Sequence, residues 1–187
     1  MSCGTEHDGG RAGGLAAKVD RVSGLLVLAA ALVIGWRWAC SPSEASEREH
    51  ALIGRRSGVM PARSLADTAA TELNLADGTR RVVFVFDAGC GACDTQRDSW
   101  KQFAQTRSPT ISVVGISLVP PEQDAAAYLG GDEVEEWYPE ATPRLASALH
   151  VSATPTTLVV DTTGVITFAR IGPMNRRDWL ALRRVLK

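Results

Sequence analysis

An apolar run, Val82-Val83-Phe84-Val85-Phe86, leads into the tetrapeptide Cys90-Gly91-Ala92-Cys93. The run has no polar alternation, which predicts a central strand covered on both faces. Apolar residues then share one helical face with Cys93, among them Trp100 and Phe103. This spacing predicts a helix that ends near Gln105. Two thiols on the first turn of a helix can close a disulfide and reopen it, so the stretch predicts redox chemistry, metal binding or a structural disulfide.

The two cysteines have different predicted roles. Disulfide exchange requires a thiolate, so the site must lower the pKa of one thiol. The N-terminus of a helix does this through its unpaired amides and the positive end of its dipole. Cys90, just ahead of the first turn, is therefore the predicted exposed nucleophile. Cys93, one turn later on the apolar face, is the predicted buried thiol that resolves the mixed disulfide.

Two structural interpretations of the cysteine pair stay open. Half of a zinc site is disfavoured because the chain has no second CxxC, and because His7, His50 and His150 lack the spacing of ligands. A permanently closed disulfide is also disfavoured, since so short a loop constrains little of the unfolded chain. The strand-CxxC-helix order favours active redox exchange, and neither a metal nor a separate cofactor is predicted.

A proline far along the chain predicts the place where a substrate binds. Pro155 directly precedes the apolar run Thr156 to Val160. A proline before a strand indicates by itself only a turn. Between a helix and a hairpin strand, however, a cis-proline would face the CxxC and leave the backbone of Thr154 free to pair with an extended client segment. Thr154 and Pro155 are therefore the predicted substrate-binding residues.

Composition limits the classes of function. The chain has 187 residues, of which 45% are hydrophobic, so one domain can build a core without disulfide support. Twenty basic residues against 21 acidic residues leave a formal charge of -1, which argues against a nucleic-acid surface. Of the four cysteines, only Cys90 and Cys93 form a motif, so the pattern does not predict a disulfide framework.

The N-terminal part predicts a membrane tether. Residues 1–21 are polar and glycine-rich and predict a disordered cytoplasmic tail. Residues 22–40 carry one charge, Arg37, and reach spanning length if its side chain extends to the headgroups. A poor cleavage site favours an uncleaved signal anchor over a secretory signal, and basic residues before the span place the N-terminus inside. Residues 41–60 predict a linker, and 61–187 a soluble domain outside the membrane.

The rest of the domain alternates between strands and helices. A second buried strand is predicted at Ile111 to Val119, and a hairpin joins Thr156–Val160 to Val165–Ala169. Asn175 is the predicted N-cap of a last helix that buries one apolar face. The acidic stretch 131–138 predicts no element. This order of elements predicts an α/β fold.

These motifs carry a family resemblance. The cysteine stretch 82–93, the segment 155–161, Gly164-Val165-Ile166 and Gly172 together resemble the thioredoxin superfamily, particularly its membrane-anchored TlpA/ResA-like branch. The resemblance covers roughly residues 61–187. It implies a thioredoxin-like three-layer fold with a central mixed sheet, preceded by one N-terminal transmembrane helix.

The same resemblance implies a function and its partners. Proteins of this branch are protein disulfide oxidoreductases, whose redox group is the disulfide between the cysteines that match Cys90 and Cys93. They face the periplasm or the cell exterior and reduce disulfides in apocytochromes c or copper-site proteins. The expected partners are therefore disulfide-bearing protein clients, a membrane thiol electron donor, and the lipid bilayer through residues 22–40. No nucleic acid is expected.

The chain departs from the family pattern beside both cysteines. Gly89 replaces the usual tryptophan before the first cysteine, which predicts a more open rim, and Ala92 replaces the usual proline, which alters the redox potential. Gln96 stands where related chains often place the carboxylate that handles the proton of the second cysteine, and this position makes it a candidate proton-handling residue. Asp87 and Asp94 are the alternative proton acceptors, although each residue type also suits a strand end or a first helical turn.

Three other functions compete with a membrane-anchored reductase. A peroxide-consuming enzyme is disfavoured by the paired cysteines. A copper chaperone would require a histidine ligand, and only His150 is well placed to be one. An assembly subunit of a membrane complex, with a structural disulfide, is the main alternative, and thiol titration with a mild reductant distinguishes it because a structural disulfide resists reduction.

Overall fold

The computed structural model describes residues 44–65, 69, 72–119, 127–130, 133–139 and 147–187. The predicted cytoplasmic tail and the predicted membrane span both lie outside these residues. Within the described ranges, no helix is long and apolar enough to cross a membrane.

The described ranges contain three helices and seven strands. In chain order they are α1 (Glu44–Leu52), β1 (Val59–Ser64), β2 (Glu72–Asn74), β3 (Arg80–Phe86), α2 (Gly91–Thr106), β4 (Ile111–Ser117), β5 (Glu135–Pro139), β6 (Thr156–Val160), β7 (Ile166–Ile171) and α3 (Arg176–Val185). The strands form one sheet in the order β2-β1-β5-β4-β3-β6-β7. The sheet is mixed, because β3 pairs parallel with β4 and antiparallel with β6.

Strand β3 is the centre of the molecule, as its apolar run predicts. Residues 82–86 have no exposed surface, and alternate side chains enter two separate cores. On one face Phe84 stacks on Trp100 of α2, with ring centroids 5.0 Å apart. On the other face Val83 and Val85 pack in a cluster that includes Leu52 of α1. The sheet therefore lies between α2 with α3 on one side and α1 on the other, which gives three layers.

The predicted linker 41–60 is wrong for most of its length. Residues 43–187 form one compact unit, and helix α1 packs on β7 within it. The Glu49 carboxylate accepts hydrogen bonds from the Ile171 amide (2.9 Å) and the Arg170 guanidinium (3.0 Å). Leu52 is the one buried apolar residue among the described side chains of α1, so the helix has no apolar stripe that a sequence pattern could reveal. Helix α1 is held instead by the polar contacts of Glu49 and by the packing of Leu52 in the core.

The C-terminal elements follow their sequence signals. Strands β6 and β7 form the predicted hairpin, and its turn is held by the Asp161 carboxylate, which accepts from the Thr163 and Val165 amides. Asn175 caps α3 in a reciprocal capping box with Asp178, worth about 1 kcal/mol. One face of α3 is less buried than expected, because Leu182 is fully enclosed but the neighbouring apolar side chains are half-buried.

The acidic stretch 131–138 contains an element that the sequence did not predict. Strand β5 pairs with β4 in parallel, and its Glu136, Trp137 and Tyr138 are all buried. Gly115 faces Glu136 across this pair, and a Cβ at Gly115 would lie 2.7 Å from the Leu129 side chain. The missing side chain therefore leaves the space that Leu129 and Glu136 fill.

Candidate redox site

The end of β3 and the start of α2 place the two cysteines. Cys90 is the N-cap residue of α2 and has extended backbone dihedrals. Its amide donates to the Asp87 carbonyl at 3.0 Å, and the Asp87 carboxylate accepts from the Gly89 amide at 2.8 Å. These two bonds form the turn from strand to helix, in which the Cys93 amide also donates to the Cys90 carbonyl. The turn fixes Cys90 at the positive end of the helix dipole.

The two thiols differ in exposure as the sequence predicts. Both are free thiols in the structure. Cys90 is half-buried, whereas Cys93 has no exposed surface and packs in the core between the sheet and α2. Only the first cysteine is therefore accessible from solvent.

The surroundings of Cys90 favour its thiolate. Partial burial opposes ionisation of this thiol. Hydrogen bonds from the Cys93 thiol, the Thr154 side chain and the amides of Cys93 and Ala92 outweigh that cost, so the pKa of Cys90 is lowered. The two amide bonds are the effect expected at a helix N-terminus, whereas the bonds from Cys93 and Thr154 depend on the second cysteine and on the cis-proline loop.

The surroundings of Cys93 favour its protonated form. Burial raises the pKa of Cys93 to about 11, and only part of the desolvation is offset by a hydrogen bond from the Asp87 backbone. The interaction with Cys90 also raises the pKa of Cys93, because a second thiolate beside the first is disfavoured. Of the two thiols, Cys90 is therefore the one that loses its proton first.

The predicted substrate-binding residues lie against Cys90. The Thr154-Pro155 peptide bond is cis. The Cys90 Sγ lies 3.8 Å from the Thr154 carbonyl oxygen, so two segments distant in sequence meet at one point. The Gly172 amide donates to the Pro155 carbonyl at 2.7 Å and fixes the loop to the end of β7. Pro155 is buried, and Thr154 is partly exposed beside the reactive sulfur.

Solved structures with the same arrangement of elements are known. The chain superposes on the thioredoxin domain of a thiol-disulfide oxidoreductase from Bacteroides vulgatus with a TM-score of 0.57 at 15% identity, covering 72% of this chain and 98% of that one. The chain has the thioredoxin-like fold. A thiol:disulfide interchange protein DsbE from Chlorobium tepidum matches with a TM-score of 0.53 at 19% identity, covering 72% and 95% of the two chains. StoA from Bacillus subtilis matches with 0.51 at 14%, covering 70% and 98%. No protein-family model and no curated sequence matches the chain.

The three predicted proton-handling residues have other contacts in this thioredoxin-like domain. The Asp87 carboxylate is engaged by the Gly89 amide. The Asp94 carboxylate accepts from the Tyr128 hydroxyl at 2.7 Å and is exposed. Gln96 is buried, and its amide accepts from the Met174 amide at 3.0 Å, which ties α2 to the loop before α3.

Sequence reasoning missed the residues that cover the first turn of α2. Tyr128 stacks on Phe86 with ring centroids 4.6 Å apart, and the Arg97 guanidinium lies 5.4 Å from the Tyr128 ring centroid. The loop that carries Tyr128 is held by Glu136, whose carboxylate accepts from the amides of residues 128–130 and from the Tyr138 hydroxyl. No motif or periodicity connects these residues, because they meet only through the packing of β5 against β4.

Side chains that bind metals do not cluster in the described ranges. No group of three or more His, Cys, Asp or Glu side chains there could hold a metal ion.

Proposed function

We propose that the chain is a membrane-tethered thiol-disulfide oxidoreductase that reduces disulfides of extracytoplasmic protein clients through Cys90 and Cys93. The observation that carries the proposal is the asymmetry of the pair. One thiol is accessible and its pKa is lowered, while the other is buried with a pKa raised to about 11. Two of the superposed proteins are a thiol-disulfide oxidoreductase and a thiol:disulfide interchange protein, which supports this assignment.

The proposed reaction has two exchanges. In the first, the Cys90 thiolate attacks one sulfur of the client disulfide, whose S–S bond breaks as the mixed disulfide forms, and the second client sulfur leaves as a thiolate that takes up a proton. In the second, Cys93 loses its proton and its thiolate attacks the Cys90 sulfur. The Cys90–Cys93 disulfide forms, and the first client sulfur is released. The client gains two electrons, and the protein loses two.

The high pKa of Cys93 determines that it reacts after Cys90. While Cys93 is a thiol, it donates a hydrogen bond to the Cys90 thiolate and stabilises the nucleophile. Once Cys90 is in the mixed disulfide, the negative charge next to Cys93 is gone, so its ionisation is less unfavourable. Asp87 and Asp94 are the proposed acceptors of this proton. Gln96 is not, because its amide carries no titratable group in this range.

Client docking is proposed at Thr154 and Pro155. An extended segment that pairs with the backbone of Thr154 would place its disulfide beside the Cys90 sulfur, which lies 3.8 Å from the Thr154 carbonyl oxygen. Backbone pairing of this kind gives affinity with little demand on client sequence. It suits an enzyme that acts on several proteins.

The cellular setting is proposed from the sequence. Residues 22–40 would span the cytoplasmic membrane with residues 1–21 inside, so that the thioredoxin-like domain faces the periplasm or the exterior. Return of the Cys90–Cys93 disulfide to two thiols requires two electrons and two protons, which a membrane thiol donor would supply. Clients of cytochrome c or metal-site maturation fit this setting, since their cysteines must be reduced before they bind haem or metal.

The proposal is tested by reduction of a model protein disulfide. The full chain, kept reduced by a chemical dithiol, is expected to accelerate reduction well above the rate of the dithiol alone. Cys90→Ser removes the attacking sulfur and should abolish the acceleration, whereas Cys40→Ser, which changes a cysteine outside the motif, should retain it. Full activity of Cys90→Ser would show that the assigned nucleophile is wrong.

A further inference from the structure

A groove of about 310 Å³ opens next to the cis-proline loop. Its polar lining includes Arg48, Arg55, His150 and Ser152, and Leu52 and Ile171 contribute apolar surface. The groove lies on the α1 side of the sheet, opposite α2, but at the same end of β6 as Thr154. It has no part in the exchange steps described above.

Arg55 is held in place at the groove by two contacts. Its Nε donates to the Ala51 carbonyl at 2.8 Å, and its Nη1 lies 3.4 Å from Nδ1 of His150. A guanidinium has five N–H donors in a fixed plane, and these two contacts engage only Nε and Nη1. Arg55 is exposed, so its remaining donors can bind a carboxylate from solvent.

Among the described residues beside the groove, Glu49 is an acidic side chain whose charge is already paired. Glu49 accepts from the backbone amide of Ile171, which lines the groove. Its carboxylate is already paired with Arg170 at 3.0 Å, and its side chain is only 13% exposed. A carboxylate that enters the groove from outside would therefore find cationic and polar partners.

The groove continues the proposed docking path. Ser152 lies two residues before Thr154, and Ile171 is the strand partner of Thr156. Two residues span at most about 7 Å of chain, so Ser152 lies within that distance of Thr154 and within reach of a client segment paired there. A client side chain two to four residues from the reacting cysteine would then lie at the groove.

We infer that this groove binds an acidic side chain of the client, so that the preferred clients carry Asp or Glu two to four residues from the cysteine that reacts with Cys90. The inference rests on the proposed function and narrows its substrate class. Its physical basis is charge complementarity between the client carboxylate and Arg55, on the path that the proposed backbone pairing would give the client.

The test compares peptides that differ in one side chain. Each peptide carries one cysteine as a mixed disulfide with a neutral thiopyridine, and the residue two, three or four positions away on either side is Glu, Gln or Lys. A chemical dithiol returns the Cys90–Cys93 disulfide to two thiols, and release of the thiopyridine by the full chain, after the rate of the dithiol alone is subtracted, gives kcat/KM. At the favoured position, Glu should exceed Gln about two- to fivefold at low salt, through KM, as expected for a partly exposed ion pair. Added salt should reduce the ratio.

Variants of Arg55 test whether the groove causes the preference for Glu over Gln. Arg55→Gln should bring the Glu/Gln ratio to one, and Arg55→Glu should invert the preference towards Lys. Arg184→Gln, which removes an exposed charge from α3 away from the groove, should keep the ratio.

The outcomes separate this inference from the proposed function. If the full chain turns over no peptide, the proposed function fails, and the inference with it. If all peptides react at the same rate, or if Arg55→Gln keeps the preference for Glu, only the groove assignment is overturned.

Discussion

Cys90 and Glu136 lie on the same side of the sheet but have opposite environments. Glu136 is 3% exposed and receives four hydrogen bonds, three from backbone amides and one from a tyrosine hydroxyl. Cys90 is half-buried, and its Sγ lies next to a loop that can also pair with a client. The carboxylate is enclosed by its donors, whereas the thiolate is stabilised and still accessible.

The difference separates a structural polar group from a reactive one. A buried charge with all its hydrogen bonds made fixes the elements that supply the donors, and nothing remains for a ligand to bind. A sulfur at a helix N-terminus has a stabilised thiolate and keeps the access that attack requires. Substitutions at Cys90 and its partners should therefore change chemistry, and those at Glu136 and its partners should change stability.

Cys93→Ser should have the largest effect. The first exchange can still occur, but no second thiolate follows to release the client, so turnover should fall to background and a mixed disulfide with Cys90 should accumulate. Non-reducing electrophoresis and peptide mapping after incubation with a disulfide protein would detect it. Continued turnover without a trapped complex would mean that Cys93 does not resolve the intermediate.

The pH dependence of alkylation should separate the two thiols within the reduced wild-type chain. The thiolate is the reacting form, and each unit of pKa changes its fraction tenfold below the midpoint. With a pKa of about 11, Cys93 has about 100-fold less thiolate at neutral pH than an ordinary thiol at 9.0. Cys90 should react faster than an ordinary thiol at neutral pH, with a rate that rises with pH and has its midpoint below 9.0. Peptide-resolved mass spectrometry measures both initial rates, and equal profiles would remove the basis for assigning two roles.

Glu136→Ala should lower the free energy of unfolding. Loss of the carboxylate leaves the amides of residues 128–130 without their acceptor, at about 1–3 kcal/mol for each group that cannot reach water. Glu135→Ala is the matched control on the same strand, and because Glu135 is exposed its change should stay within about 0.5 kcal/mol. Denaturant titration measures both, and similar costs for the two would contradict the assigned role of Glu136.

Two tyrosine hydroxyls should give the smallest effects, in a defined order. Tyr138→Phe removes a buried hydrogen bond to the Glu136 carboxylate and should cost about 1.5–3 kcal/mol. Tyr128→Phe removes a bond to the exposed Asp94 and should cost about 0.5–1.5 kcal/mol, because water can replace the hydroxyl. The reverse order in thermal or denaturant unfolding would show that Asp94, not Glu136, holds this part of the fold.

The sequence predicts those parts of the structure whose signals lie in neighbouring residues. The apolar run before Cys90, the helix after it, the hairpin and the Asn175 cap each depend on neighbouring residues, and the structure confirms them. Thr154 could be related to Cys90 because its proline lies between recognisable elements. The role of each site residue stays a prediction, as does the membrane span.

Helix α1 and Glu136 could not be predicted, for a shared physical reason. Helix α1 is held by Leu52 and by the contacts of Glu49 with β7, so its own sequence resembles a polar linker. Glu136 stands in an acidic stretch and is buried only because a distant loop turns its amides towards it. In both cases the stabilising partner is remote in sequence, and no local pattern records it.

We propose that Cys90 and Cys93 reduce the disulfide of a client and are themselves joined in a disulfide. The direct measurement is a single turnover of the reduced full chain with a limiting amount of disulfide protein, followed by acid quenching, thiol counting and peptide mapping. The account predicts one Cys90–Cys93 disulfide for each client disulfide reduced, with Cys3 and Cys40 unchanged. Client reduction without a Cys90–Cys93 disulfide, or no reduction at all by the fully reduced chain, would contradict it.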